Sequence, residues 1–138
     1  IAWDGGTGLG MAWREWVSAD SDYEIMFAYL SVAGTKITSD VRVTSSAGVS
    51  QDPWLVATAG GVFALSWDDD ASGNKEILFA EIARDGSMGM TTRVTSDAAV
   101  SNDANLVEIP GGGYLFTWKD TRSTGTLFEV YSESALCF

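Results

Sequence analysis

The feature that most restricts how this chain folds is a repeat with a period just above fifty residues. Trp13, Trp67 and Trp118 stand 54 and 51 residues apart, and each is followed two positions later by an acid, Glu15, Asp69 or Asp120. Val43-Thr44-Ser45 returns as Val94-Thr95-Ser96, and Ser50-Gln51-Asp52 returns as Ser101-Asn102-Asp103, both after 51 residues. Glu24-Ile25-Met26-Phe27-Ala28 comes back after 52 as Glu76-Ile77-Leu78-Phe79-Ala80. Anchors that keep one phase mark a series of like units, each burying against its neighbour a face it cannot bury alone.

Within a unit the alternation is that of β-strands. In the stretch from Gly60 to Ile82, Phe63, Leu65 and Trp67 point one way and Val62, Ala64 and Ser66 the other, so the hairpin is apolar on both faces and needs cover on each side. The second unit divides into strands at Trp54 to Ala59, Val62 to Trp67, Glu76 to Ala83 and Thr91 to Ser96. Gly60-Gly61, Asp70 to Asn74, and Arg84 to Ser87 supply the turns. The first unit reads the same way, with strands from Ile1 through Leu9 to Trp13, then Tyr23 to Val32 and Val41 to Ser45. The third gives Asn105 to Ile109, Tyr114 to Trp118 and Leu127 to Ser132, with no convincing fourth strand. The fourth strands, DVRVTS and TTRVTS, are far more polar than their neighbours, as suits a sheet edge.

The expected fold is therefore all-β: three four-stranded antiparallel units, at about 1–49, 50–100 and 101–138, the last incomplete. Such units recurring at this period are blades of a β-propeller. The pattern resembles sialidase-like propeller repeats of the six-bladed type, through Ser50, Asp52, Pro53, Gly60, Trp67, Asp69, Gly73, Asn74, Glu76, Ile77, Phe79, Asp85, Gly86 and Thr95. Nearly three blades cannot close a ring, so the expectation is a homodimer completing six blades about a two-fold axis, or a stretch of a longer propeller. The resemblance also implies a secreted or cell-surface protein. The start at Ile1 fits either a processed chain or a stretch of a longer parent.

Composition excludes several activities. A net charge of −11 repels phosphate backbones and anionic lipid surfaces, so neither nucleic acid nor membrane is an expected partner. With no histidine there is no Ser-His-Asp triad, no Cys-His pair and no imidazole zinc site. Cys137 has no second cysteine to bridge to within the chain.

The Trp-x-acid positions suit either of two roles. An indole face and a carboxylate can hold a sugar, which makes Glu15, Asp69 and Asp120 candidate ligands, but a large aromatic at a fixed place in every unit is also what stacking sheets demand. Trp3, Trp16 and Trp54 lie outside the repeat and are the better candidates for a ligand surface or subunit contact, Trp16 being placed in the turn after the second strand. Asp68-Asp69-Asp70 with Ser72, Asn74 and Glu76 is rich in oxygen, but it lacks the glycine and distal Glu of the twelve-residue calcium loop, so no cofactor is expected and calcium is the weak alternative.

The resemblance implies for the enzymes of that family an arginine cluster. Here Arg14, Arg42, Arg84, Arg93 and Arg122 are available, but Arg42 and Arg93 are repeat equivalents on outer strands, and the S-x-D-x-G-x-T-W box is absent because Ser50-Gln51-Asp52 runs on to Pro53-Trp54. The expected function is a non-catalytic propeller module that binds a glycan or protein partner and self-associates. The alternatives are a partial sialidase-like glycoside hydrolase and a purely structural fragment.

Overall fold

The computed structural model of the chain describes residues 1–123 and 126–135. Its regular structure is all β, in three antiparallel sheets with no helix among the described residues. The first sheet is β1 (Ala2–Trp3), β2 (Gly8–Val17), β3 (Asp22–Ser31) and β4 (Val41–Arg42), in that order. The second is β5 (Ser50–Ala57), β6 (Phe63–Asp69), β7 (Glu76–Ile82) and β8 (Thr92–Arg93), again in chain order. The third has three described strands, β9 (Ser101–Glu108), β10 (Tyr114–Asp120) and β11 (Glu129–Ala135), with β10 in the middle.

The sheets meet face to face, and β6 shows why. Every residue from Phe63 to Asp69 is buried. Phe63, Leu65 and Trp67 pack with Ile25, Phe27 and Tyr29 of the first sheet, while Ala64, on the opposite face, packs with Leu106, Phe116 and Trp118 of the third. The two-faced hairpin thus has its two covers, and burying side chains of this size supplies roughly 1.5–3 kcal/mol each. Close approach is secured by a small residue: a Cβ on Gly10 would sit 2.7 Å from the Phe63 ring.

The stack has a direction. Trp67 pairs across its hairpin with Leu78 and faces the first sheet; Trp118 pairs with Tyr131 and faces the second. Trp13 pairs with Met26, whereas Ile25 and Phe27 on the opposite face are the ones that meet the second sheet. The Trp13 face of the first sheet therefore points out of the stack. At the other end, the third sheet turns outward a face carrying Val107, Leu115 and Val130, all exposed.

Polar ties join the sheets at their rims. Asp4, after β1, accepts hydrogen bonds from the Gly6 and Gly8 N–H groups and from the Tyr29 hydroxyl, and pairs with Arg84 of the second sheet at 3.0 Å. The Tyr114 hydroxyl of the third sheet donates to Glu81 Oε1 at 2.5 Å.

Several strand limits differ from the sequence expectation. The first hairpin is longer than expected, so Trp16 is not in a turn but inside β2, directly opposite Tyr23. Strand β5 starts at Ser50 and not Trp54, because a bulge between Gln51 and Trp54 lets pairing continue past Pro53. The fourth strands are only two residues long, since past Val43 and Val94 the Ile25 and Ile77 N–H groups go to the Thr44 and Thr95 hydroxyls and not to a strand carbonyl.

Candidate functional site

The groove that combines exposed aromatic and polar side chains lies where the first strands of the second and third sheets run side by side. Both begin Ser-x-Asp, and both bend there. Asp52 and Asp103 each have φ of 54°, a left-handed backbone uncommon outside glycine and best tolerated by Asn and Asp. Holding a non-glycine residue so costs about 1 kcal/mol or more, and such strain at two matching positions is a pointer to use. The bulge in each strand re-aims the residues that follow.

Those residues are Trp54 and Asn105. They are repeat equivalents, opposite Ser66 and Thr117 in their hairpins, so the groove pairs an indole with an amide across the seam. Asp52, Pro53, Trp54, Asp103, Ala104 and Asn105 enclose about 250 Å³. Trp54 is 46% exposed, and its ring is anchored by Nε1, which donates to the Leu106 carbonyl at 3.2 Å. Asp52 Oδ2 accepts from Gln51 Nε2 at 2.9 Å, Asp103 is ion-paired with Lys119, and Asn105 Nδ2 donates to the Asp103 carbonyl at 3.3 Å. The Asp103 carboxylate holds the Lys119 ammonium above its ordinary pKa.

Beneath the seam lies Asp68, with no exposed surface. Burial pushes its carboxyl up to about 6, against the pull of Lys75, whose Nζ is 3.0 Å from Oδ2. Its counterparts are Arg14 and Lys119, so this is the one unit in which that position is acidic.

A larger cleft of about 400 Å³ separates the outer parts of the first and second sheets, lined among others by Ser46, Trp67, Asp69, Glu76 and Arg93. Its polar groups are largely spoken for. Asp69 accepts from Ser46 and Ser50 at 2.7 Å each and from the Ala71 N–H at 2.8 Å. Glu76 accepts from Arg93 at 2.7 Å and Thr95 at 2.6 Å. The first sheet holds Glu24 by the matching Arg42 and Thr44, so this arrangement belongs to the scaffold.

The six residues singled out in the sequence do not converge. Trp54 lines the groove. Trp3 and Trp16 are 61% and 52% exposed on the first sheet, Trp16 edge-on to Tyr23 at 5.1 Å. Glu15 accepts the Trp13 indole N–H at 2.8 Å, and Asp120 that of Trp118 at 3.1 Å. Burial acts to raise Asp120, but Arg122, Trp118 and Ser101 hold it well below the usual carboxylate range. Trp67 has the same neighbour in sequence, yet its Nε1 has no acceptor among the described residues because Asp69 is turned to the serines.

Asp52, Asp103 and Asn105 are groove residues that the sequence does not single out: the repeated Ser-x-Asp marks the phase of the units but not the seam that brings them together. In the acidic turn, Asp70 accepts the Val49 N–H and Asn74 donates to the Asp97 and Ala99 carbonyls, and no group of three or more metal-ligating side chains gathers among the described residues. Cys137 lies outside the described residues.

The chain was compared with protein families, curated proteins and solved structures. None of the three gives a match.

Proposed function

We propose that this chain is a non-catalytic β-propeller module, of the sialidase-like kind its repeats resemble, that holds a neutral saccharide in the Trp54 groove. The observation that carries the reading is the exposed, anchored Trp54 indole set between two strained aspartates and the Asn105 amide. An indole face offers an apolar platform for the C–H face of a sugar ring, and the carboxylates and amide exchange hydrogen bonds with its hydroxyls. A net charge of −11 and the two groove carboxylates disfavour an anionic sugar, which separates this ligand from a sialoside. The glycoside hydrolase alternative is less well supported: Asp68, whose raised pKa suits an acid, is wholly buried and out of reach of a substrate.

Assembly is the second part of the proposal. What supports it is the polarity of the stack, which leaves a Trp13 face at one end and a Val107, Leu115 and Val130 face at the other. Inside the stack such faces meet each other, so a head-to-tail ring of two chains would cover both. Secretion or display at the cell surface rests on the resemblance alone.

The test is a glycan array of neutral and sialylated saccharides, followed by titration of the best neutral ligand with tryptophan fluorescence. Binding should fall at least about ten-fold in Trp54→Ala and be weakened in Asp103→Asn, with folding unchanged by circular dichroism. An array without neutral-sugar binding, or affinity untouched by Trp54→Ala, rejects the saccharide reading.

A further inference from the structure

The first two sheets are finished by an identical clamp. In the first, Arg42 reaches Glu24 at 2.7 Å and its Nε donates to the Thr44 carbonyl at 2.7 Å, while the Thr44 hydroxyl accepts the Ile25 N–H at 2.8 Å and donates to Glu24. The Val43 N–H then donates to the Ile25 carbonyl at 2.8 Å. In the second, Arg93, Thr95, Val94, Ile77 and Glu76 repeat every one of these bonds. Both glutamates are buried by it, and a buried carboxylate requires such partners.

The third sheet carries the receiving half. Asp120 is opposite Glu129 as Asp69 is opposite Glu76, and Trp118 is opposite Tyr131 as Trp67 is opposite Leu78. Glu129, Val130 and Tyr131 therefore stand where Glu76, Ile77 and Leu78 stand. No strand pairs with the outer edge of β11 among the described residues, and Glu129 is exposed, in contact with the Ser123 hydroxyl at 2.5 Å. Arg122 lies over the Tyr131 ring at 4.5 Å but pairs with Asp120 and Asp97.

We infer that the outer edge of β11 is a docking site for an extended polypeptide segment with the sequence Arg-x-Thr, added antiparallel with its arginine opposite Tyr131. The arginine pairs with Glu129, the threonine hydroxyl takes the Val130 N–H, and the residue between them donates to the Val130 carbonyl. Strand addition at a sheet edge gives affinity through the backbone, and here the Glu129 carboxylate supplies the selectivity. The inference rests on the repeated clamp and not on the saccharide reading.

The probe is a capped peptide of the chain's own residues 91–96, Thr-Thr-Arg-Val-Thr-Ser, added to the whole protein. Hydrogen exchange of the β11 amides, followed by mass spectrometry over a peptide titration, should show saturable protection. Replacing the peptide arginine by alanine, or Glu129→Ala in the protein, should weaken binding about ten-fold or more. Glu129 is exposed, so that variant keeps its fold. Absence of protection at millimolar peptide, or protection indifferent to both changes, overturns the inference.

Discussion

At the scale of single residues, two carboxyls pull stability in opposite directions with pH. Asp68 is pushed up to about 6 by burial, so the folded state binds its proton more tightly than the unfolded chain does. Its contribution is greatest in acid, declines as pH rises from about 4 to about 6, and is a fixed cost above that. Asp68→Asn should therefore raise stability at pH 7 by on the order of 1 kcal/mol and flatten this part of the profile, read by urea unfolding at pH 5 and pH 7. An unchanged profile would mean that the aspartate is not titrating in this range. Asp4 is the reverse case. The Gly8 N–H, the Tyr29 hydroxyl, the Gly6 N–H and Arg84 hold it at about 2, so its contribution is complete above pH 4 and is lost as the pH falls through about 2. Asp4→Asn should reduce stability at pH 7 and make acid unfolding between pH 4 and pH 2 less steep.

At the scale of elements, the short fourth strands are held less by their two-residue ladders than by the Arg-x-Thr clamp. Thr44→Val and Thr95→Val remove the same bonds, to the Ile25 or Ile77 N–H and to the buried Glu24 or Glu76. Each should cost about 1–3 kcal/mol, and the two costs should be alike, since the bonds match atom for atom. Chemical denaturation of the two variants checks this; a large cost at one site and none at the other would show that the clamp is not the common fastening. The hairpins are sensitive in another way. Gly10→Ala would drive a methyl into the Phe63 ring and part the first two sheets, an overpacking expected to cost about 1–3 kcal/mol.

At the scale of the whole molecule, stacking sets the questions of assembly. The Trp13 face at one end and the Leu115 and Val130 face at the other are of the two kinds that meet inside the stack. If a second copy covers them, light scattering at micromolar concentration should give the mass of a dimer, and Val130→Asp should return it to that of one chain. A monomer before the substitution would refute self-closure while leaving the groove and the β11 edge untouched, because each of those is built within one chain.

Much of this was legible in the sequence, and the reason is local. Alternation along a strand and glycine or aspartate at a turn are set by a residue and its near neighbours, so the two-faced hairpin from Phe63 to Ile82, the repeat phase and the polar fourth strands could all be read directly. The candidate site was legible only in part. Trp54 stood out because it breaks the repeat, but its partner Asn105 is its own equivalent from the next unit, and nothing in either unit says that a seam sets them side by side. Trp16 was misplaced because a hairpin's length depends on pairing with Tyr23 across the turn, and not on the turn residues alone. The sequence by itself determined the kind of sheet, its period and its two apolar faces. Only the tertiary structure decided which face meets which neighbour, that Asp52 and Asp103 are held with left-handed backbones beside one another, and that Arg42 and Arg93 turn back onto buried glutamates. Those outcomes depend on register and on contacts between residues far apart in the chain, where one shifted pair redirects every side chain that follows.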